Sequence, residues 1–206
     1  MGADRVLVFG ESFNDAQAIG HLFKALKPDG PGIKPLKAPI ILSRDAEDAK
    51  RRKNRNLVAA VVRAEVTKGH VVAVLIHRDC DAVEPAHKDQ CLKIRCDFKD
   101  LECTVIPVTP AFEIEAWWFF WPAAVASVNP RWKRLRCVQR NHGSIPNIKE
   151  YLIRQLRASG GARTNEYSEA DSPRIAEKVR RLGIVSERCG QAGSFDDFVK
   201  ALAEAL

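Results

Sequence analysis

Three short stretches carry acids at spacings that could do chemistry together. Glu11 follows an apolar run and a glycine in "RVLVFGESFND", Arg5 to Asp15. Asp79 and Asp81 form an Asp-x-Asp in "LIHRDCDA", and Glu113 and Glu115 stand in "FEIEAWWF". Carboxylates gathered without a counter-charge repel one another and hold their protons. Gathered around a hard divalent ion, Mg²⁺ or Mn²⁺, they become ligands. The first stretch offers a second chemistry, with Ser12 as a nucleophile on a sharp turn. It also has a plain reading as a turn, and a lone Asp-x-Asp is most often a turn as well.

The elements that would position these residues are visible in the hydrophobic pattern. Arg5–Phe9 reads as a short buried strand ended by Gly10. From Phe13 to Leu26 the apolar residues fall at helical spacing, stopped by Pro28 and the loop "KPDGPGIKP". "APIIL", Ala38–Leu42, reads as a second strand. A helix from Ala46 to about Lys68 follows, capped by Ser43 or Asp45 and closed by Gly69. "VVAVLI", Val71–Ile76, is apolar throughout, as a strand covered on both faces must be. A helix through Lys99 and a strand at Cys103–Val108 complete the alternation. This predicts an α/β fold with a mostly parallel four-stranded sheet flanked by helices over residues 1–121. Residues 122–206 read as a helical C-terminal extension packed on it, with helices near 123–128, 148–158, 172–182 and 195–206 and a loop at 158–173.

In an open parallel sheet, ligands bind beyond the carboxyl ends of the strands. Three of those ends carry the acids, and neighbouring strands lie about 4.8 Å apart, so acids on adjacent tips can share one ion. Glu113 and Glu115 are two residues apart, about 200° around a helix, so both cannot easily face the same ion. Glu113, nearer the strand tip, is favoured.

The 206 residues carry a net charge of +7, with basic runs at "KRRKNR", "RWKRLR" and "KVRRLG". Such an excess favours a polyanionic partner, because Lys and Arg on phosphates release counterions. Arg78, Lys88, Arg131, Lys133, Arg134, Arg140 and His142 are the candidate phosphate contacts. The five aromatics from Trp117 to Trp121 read mainly as core, with base stacking or a surface for a partner or second copy of the chain as alternatives. Six cysteines, none in a CxxC or CxxH spacing, read as reduced thiols rather than a zinc site or disulfide framework. No run of 18 apolar residues and no leader-like N-terminus is present, so a cytoplasmic protein without a membrane span is expected.

Two family resemblances bear on the choice between Ser12 and Glu11. "VFGESFND" looks like the first block of the Gly-Asp-Ser lipases and esterases. That family needs an Asp-x-x-His pair near the C-terminus, and no histidine lies in the last 60 residues here or follows an Asp by three. Without a base, a serine hydroxyl is a poor nucleophile. Glu11 followed by Asp79 and Asp81 resembles instead the Toprim catalytic domain of topoisomerases, primases and overcoming-lysogenization-defect nucleases. The closest likeness is to small bacterial Toprim-like proteins. These have a strand–Gly–acid turn, an Arg-Asp-x-Asp block, a Glu-x-Glu-Ala-Trp block and a Ser-Phe-led final helix, matched here by "FEIEAWWF" and "GSFDDFVKALAEAL". Relatives often carry a second acid or a Thr after the first Glu; Ser12 stands there, and Asp15 is the nearest substitute.

The resemblance implies Mg²⁺- or Mn²⁺-dependent phosphodiester hydrolysis of DNA or RNA, with phage defence as the expected setting. In that reading Asp79 and Asp81 hold the metal, Glu11 is ligand or base, and Glu113 or Glu115 completes the site. The alternatives are a non-catalytic nucleic-acid-binding or regulatory subunit of a partner ATPase, since the chain has no Walker A motif, and a metal–diphosphate enzyme. The last explains Asp79 and Asp81 but not Glu11.

Overall fold

The computed structural model describes residues 4–37, 48–157 and 166–206, with side chains in the middle segment described from Arg52 onward. Four strands, β1 (Arg5–Phe9), β2 (Gly32–Pro35), β3 (Val71–His77) and β4 (Thr104–Val108), form one sheet in the order β2-β1-β3-β4. All three pairings are parallel. The helices are α1 (Phe13–Leu26), α2 (Asp48–Val66), α3 (His87–Asp97), α4 (Glu115–Trp118), α5 (Pro122–Val128), α6 (Ile148–Leu156), α7 (Ser172–Leu182) and α8 (Gly193–Ala205). The protein is therefore an α/β layer structure with a four-stranded parallel sheet and a run of C-terminal helices, as the resemblance implies.

Alternation along the strands sorts the core into two layers. Val6, Val8, Ala73, Leu75, Ile106 and Val108 pack on one face with side chains of α1, α7 and α8. Leu7, Phe9, Val74 and Ile76 pack on the other with Val58 and Val62 of α2 and Ile94 and Phe98 of α3. β3 is paired on both sides and buried on both faces, which is why its sequence is apolar without a break. The C-terminal helices share the first layer: Ile175 and Val179 of α7 and Phe195 and Phe198 of α8 belong to the same cluster as Val6 and Ile19.

Two expectations change. β2 forms at Gly32–Pro35, inside the stretch read as loop; the "APIIL" strand and its neighbouring caps lie outside the described residues. β2 is a short edge strand, where a proline costs no ladder hydrogen bond; the other edge strand, β4, likewise carries Pro107. Second, Cys137 and Cys189 are joined by a disulfide across 52 residues, Cα to Cα 5.2 Å, so not all thiols are free. The bridge lies beside the paired segments Asn141 and Gln191, a proximity that cysteine spacing cannot reveal. Among the described residues, no helix is long and apolar enough to cross a membrane.

The amino end of the sheet is tied to α2 by Glu65, which is buried and lies 2.6 Å from Lys34 Nζ and 3.0 Å from Lys68 Nζ. Those hydrogen bonds pull its pKa down to about 2. A depressed carboxyl stabilises the fold above its unfolded pKa and loses that contribution as pH falls through the folded value. Stability is therefore expected to drop between pH 4.5 and 2, by about 2 kcal/mol after discounting the exposed lysines. Urea titrations of Glu65→Gln across that window check it: the variant should lack this part of the acid dependence.

Candidate active site

The three acid-bearing strand ends are adjacent. Phe9 of β1 pairs with Ile76 of β3, and His77 with Val108 of β4. The sheet reverses direction of build-up between β1 and β3, the switch point where open α/β sheets bind ligands. Glu11 and Asp79 flank it.

The β1 end turns tightly. A Cβ on Gly10 would sit 2.5 Å from the Ser12 carbonyl oxygen and 2.7 Å from the Ala16 nitrogen, so only glycine fits there. Ser12 caps α1. Its Oγ accepts from the Asp15 N–H at 3.2 Å and donates to Asp15 Oδ2 at 2.7 Å, while its own N–H donates to the same oxygen at 2.9 Å. This is a capping box. Ser12→Ala is expected to cost about 1 kcal/mol in urea denaturation and to leave any hydrolytic activity in place; loss of turnover with the fold intact would return Ser12 to the role of nucleophile.

The loops after β3 and β4 behave as one unit, because the strand ladder continues beyond the strands. Arg78 N–H donates to Val108 O, Cys80 N–H to Pro110 O, Asp81 N–H to Phe112 O, and Phe112 N–H back to Ala82 O, all at 2.9–3.1 Å. Asp81 and Phe112 both take left-handed backbone angles, φ +53° and +56°. A bulky residue there is unusual, and such strain persists only where surroundings enforce it, often at functional sites. Glu84 anchors the same loop to α8. Its carboxylate accepts from Ser194 N–H at 2.8 Å and from Asn141 Nδ2 at 3.0 Å. Despite half-burial, those donors hold its pKa low.

His77 is a functional candidate that its sequence position, immediately before Arg78-Asp79, does not announce. It is fully buried, with Nε2 3.1 Å from Asp79 Oδ1 and Nδ1 3.9 Å from Asp15 Oδ2. Burial opposes charge on the ring, but Asp79, Asp15 and Glu11 overcome it and raise its pKa to about 9. Burial raises the Asp79 carboxyl, against the pull of the neighbouring His77 ring.

Three glutamates are held near neutrality. Glu11 is raised to about 7 by burial and then by Asp79 and Asp81, against His77 and Arg78. Glu113 is raised to about 7 by burial, with Lys149 opposing and Asp79 adding; its buried Oε2 has no hydrogen-bond partner among the described residues. Glu115 is raised to about 8, again by burial first. Unlike Glu113 it is already engaged. Trp118 Nε1 donates to Ser172 Oγ at 3.0 Å, Ser172 to Tyr167 at 2.6 Å, and Tyr167 OH to Glu115 Oε1 at 2.8 Å. The pattern set Glu113 and Glu115 on one helix about 200° apart; in the structure Glu113 lies before α4 and Glu115 is its first residue. Lys149, on the first turn of α6 and bonded to Glu169, is the cation that answers Glu113 and Glu115. Nothing in the sequence marks it.

The structure thus couples Glu11, Asp79, Asp81, Glu113 and Glu115 electrostatically. In kind they suit a hard divalent ion, and Glu113 Oε2, buried and without a hydrogen-bond partner among the described residues, is an oxygen such an ion could use. Among the described residues, no three His, Cys, Asp or Glu side chains already converge tightly enough to hold a metal.

The basic candidates scatter. Arg78 is buried beside Glu11. Arg140 lies with its guanidinium 5.0 Å from the Tyr151 ring centre. Lys88 is exposed on α3, lining a separate groove with Cys91 and Thr109. Arg131, Lys133 and Arg134 are exposed after α5 and are not among the charges acting most strongly on the acids. His142 is no phosphate contact: it is buried between Phe119 and Phe120, and burial lowers its pKa. Trp117, Trp118, Phe120 and Trp121 are at most 1% exposed and Phe119 5%. The aromatic run is core, which removes the stacking and docking readings.

Compared with known protein families, curated proteins and solved structures, the chain matches none.

Proposed function

We propose that this protein hydrolyses phosphodiesters of DNA or RNA with a divalent metal, Mg²⁺ or Mn²⁺, at the carboxyl edge of the sheet, in the cytoplasm. The observation that carries the reading is the electrostatic coupling of Glu11, Asp81 and Glu113 through Asp79 at the β1–β3–β4 tips, where burial first and neighbouring carboxylates second raise the pKa values of Glu11, Asp79 and Glu113. Asp79 and Asp81 would hold the ion, with Glu113 as a further ligand. When bound, it supplies Lewis-acid polarisation of a phosphoryl oxygen and a water of lowered pKa. Glu11, with a pKa of about 7, is poised to accept a proton near neutral pH. His77 fixes the Asp79 carboxylate through Nε2. Arg78 and Lys149 set positive charge beside the acids, where charge on phosphate would otherwise be repelled.

The test is incubation of purified protein with single- and double-stranded DNA and RNA in Mg²⁺, Mn²⁺ or EDTA. Metal-dependent cleavage supports the reading. A parallel thermal melt should show Mg²⁺ raising Tm, because a cation relieves the carboxylate repulsion; no shift at millimolar Mg²⁺ together with no cleavage would remove it. A second reading, a nucleic-acid-binding subunit serving a partner ATPase, is favoured by the absence of a preformed metal triad among the described residues. It predicts binding without cleavage in any divalent ion.

A further inference from the structure

Between α2 and α3, on the face of the sheet away from the C-terminal helices, lies a groove of about 420 Å³. One wall is a single stripe of α2. Arg52, Arg55, Asn56, Ala59 and Arg63 recur at i, i+3, i+4, i+7 and i+11, the spacing of one helix face. The stripe spans roughly 16 Å from Arg52 to Arg63. Lys99, in the turn after α3, closes the groove from the opposite wall. Arg55 is committed to Asp97 at 2.8 Å and pins the two helices together. Arg52, Arg63 and Lys99 are exposed and pair with no acid among the described residues. Asp100 is the one lining acid besides Asp97.

We propose that this groove binds the phosphate backbone of nucleic acid, apart from the acidic site and independent of base sequence. The cations are set one to two turns apart on a rigid helix, Ala59 keeps the middle of the stripe low enough for close approach, and arginine forks match phosphate oxygens in pairs. α2 runs antiparallel to the strands, from the carboxyl end of β2 to the amino end of β3. Arg52 therefore lies at the end nearer the acids and Arg63 at the far end, so a polynucleotide engaged at the acids has a basic track leading away from them. The proposal rests on the reading of the protein as one that acts on nucleic acid.

The test is equilibrium binding of 30-mer duplex and single-stranded DNA in EDTA across 50–300 mM salt, for wild type, for the triple variant Arg52→Ala, Arg63→Ala, Lys99→Ala, and for a charge-matched control with Lys93, Arg180 and Lys200 replaced by Ala. Loss of three phosphate contacts should flatten the slope of log K against log salt by about 2.7 for duplex and about 2.1 for single strands. The control should keep the wild-type slope. A triple variant that keeps the wild-type slope, with a native circular dichroism spectrum, overturns the groove while leaving the acidic site standing. A wild type that binds no polynucleotide overturns both readings. Binding of polyglutamate but not DNA, lost in the triple variant, would assign the groove to an acidic protein and overturn the proposal.

Discussion

Asp79→Ala is expected to lower metal-dependent cleavage by about 10³-fold or more, since it removes the one carboxylate that acts electrostatically on Glu11, Glu113 and Glu115 alike. The variant also strips a buried imidazolium of its partner. An uncompensated buried charge costs about 3–5 kcal/mol, part of which His77 escapes by releasing its proton. Asp79→Asn separates the two effects. The amide keeps the shape and can still bond to His77 Nε2 through its oxygen, so the fold should hold while cleavage is lost. Near-wild-type turnover by the well-folded Asn variant, measured on the substrate the wild type cuts, would sink the assignment of this edge as the active site.

Trp117→Ala is the largest stability loss expected. The indole is fully buried, its Nε1 donates to Ser194 Oγ at 3.3 Å, it stacks on Phe198 with ring centres 5.7 Å apart, and it meets Phe195 edge-on at 5.1 Å. Truncation leaves a large cavity and removes one of the donors to Ser194, at about 4 kcal/mol, against a total of roughly 5–15 kcal/mol for a domain. Urea denaturation would show most of the stability gone or no cooperative transition. A loss under about 1 kcal/mol would mean that the aromatic run is not the core it forms here.

The parts of this architecture that could be read from sequence are local. Val71–Ile76 announces a central strand because burial on both faces leaves it no polar residue, and Gly10 announces a turn because a Cβ cannot fit. With strands and crossings placed, the presence of Glu11, Asp79, Asp81 and Glu113 at one edge of the sheet follows from topology. β2 was hidden because four edge residues containing a glycine and a proline carry no strand pattern. The partners of the acids were hidden for another reason. Tyr167 reaches Glu115 across 52 residues, Lys149 reaches Glu113 from α6, and Cys137 finds Cys189 only once the fold has brought them together. His77 sat in view beside Asp79, yet its role depends on full burial, which a strand-end position does not disclose.

The attachment of the Asp-x-Asp loop to α8 has a consequence for synthesis. Glu84 takes its hydrogen bond from Ser194, and His87 lies 3.0 Å from Asp197, each across 110 residues of chain. A ribosome adding about 5–20 residues per second needs on the order of ten seconds to cover that interval. During that time the strands and their acids are already made, but the loop that aims Asp79 and Asp81 lacks its anchor on α8, and Trp117 lacks Phe195 and Phe198. The emerging chain carries the acids without the clamp that sets them, so the edge of the sheet is assembled only after residues 193–205 have left the ribosome.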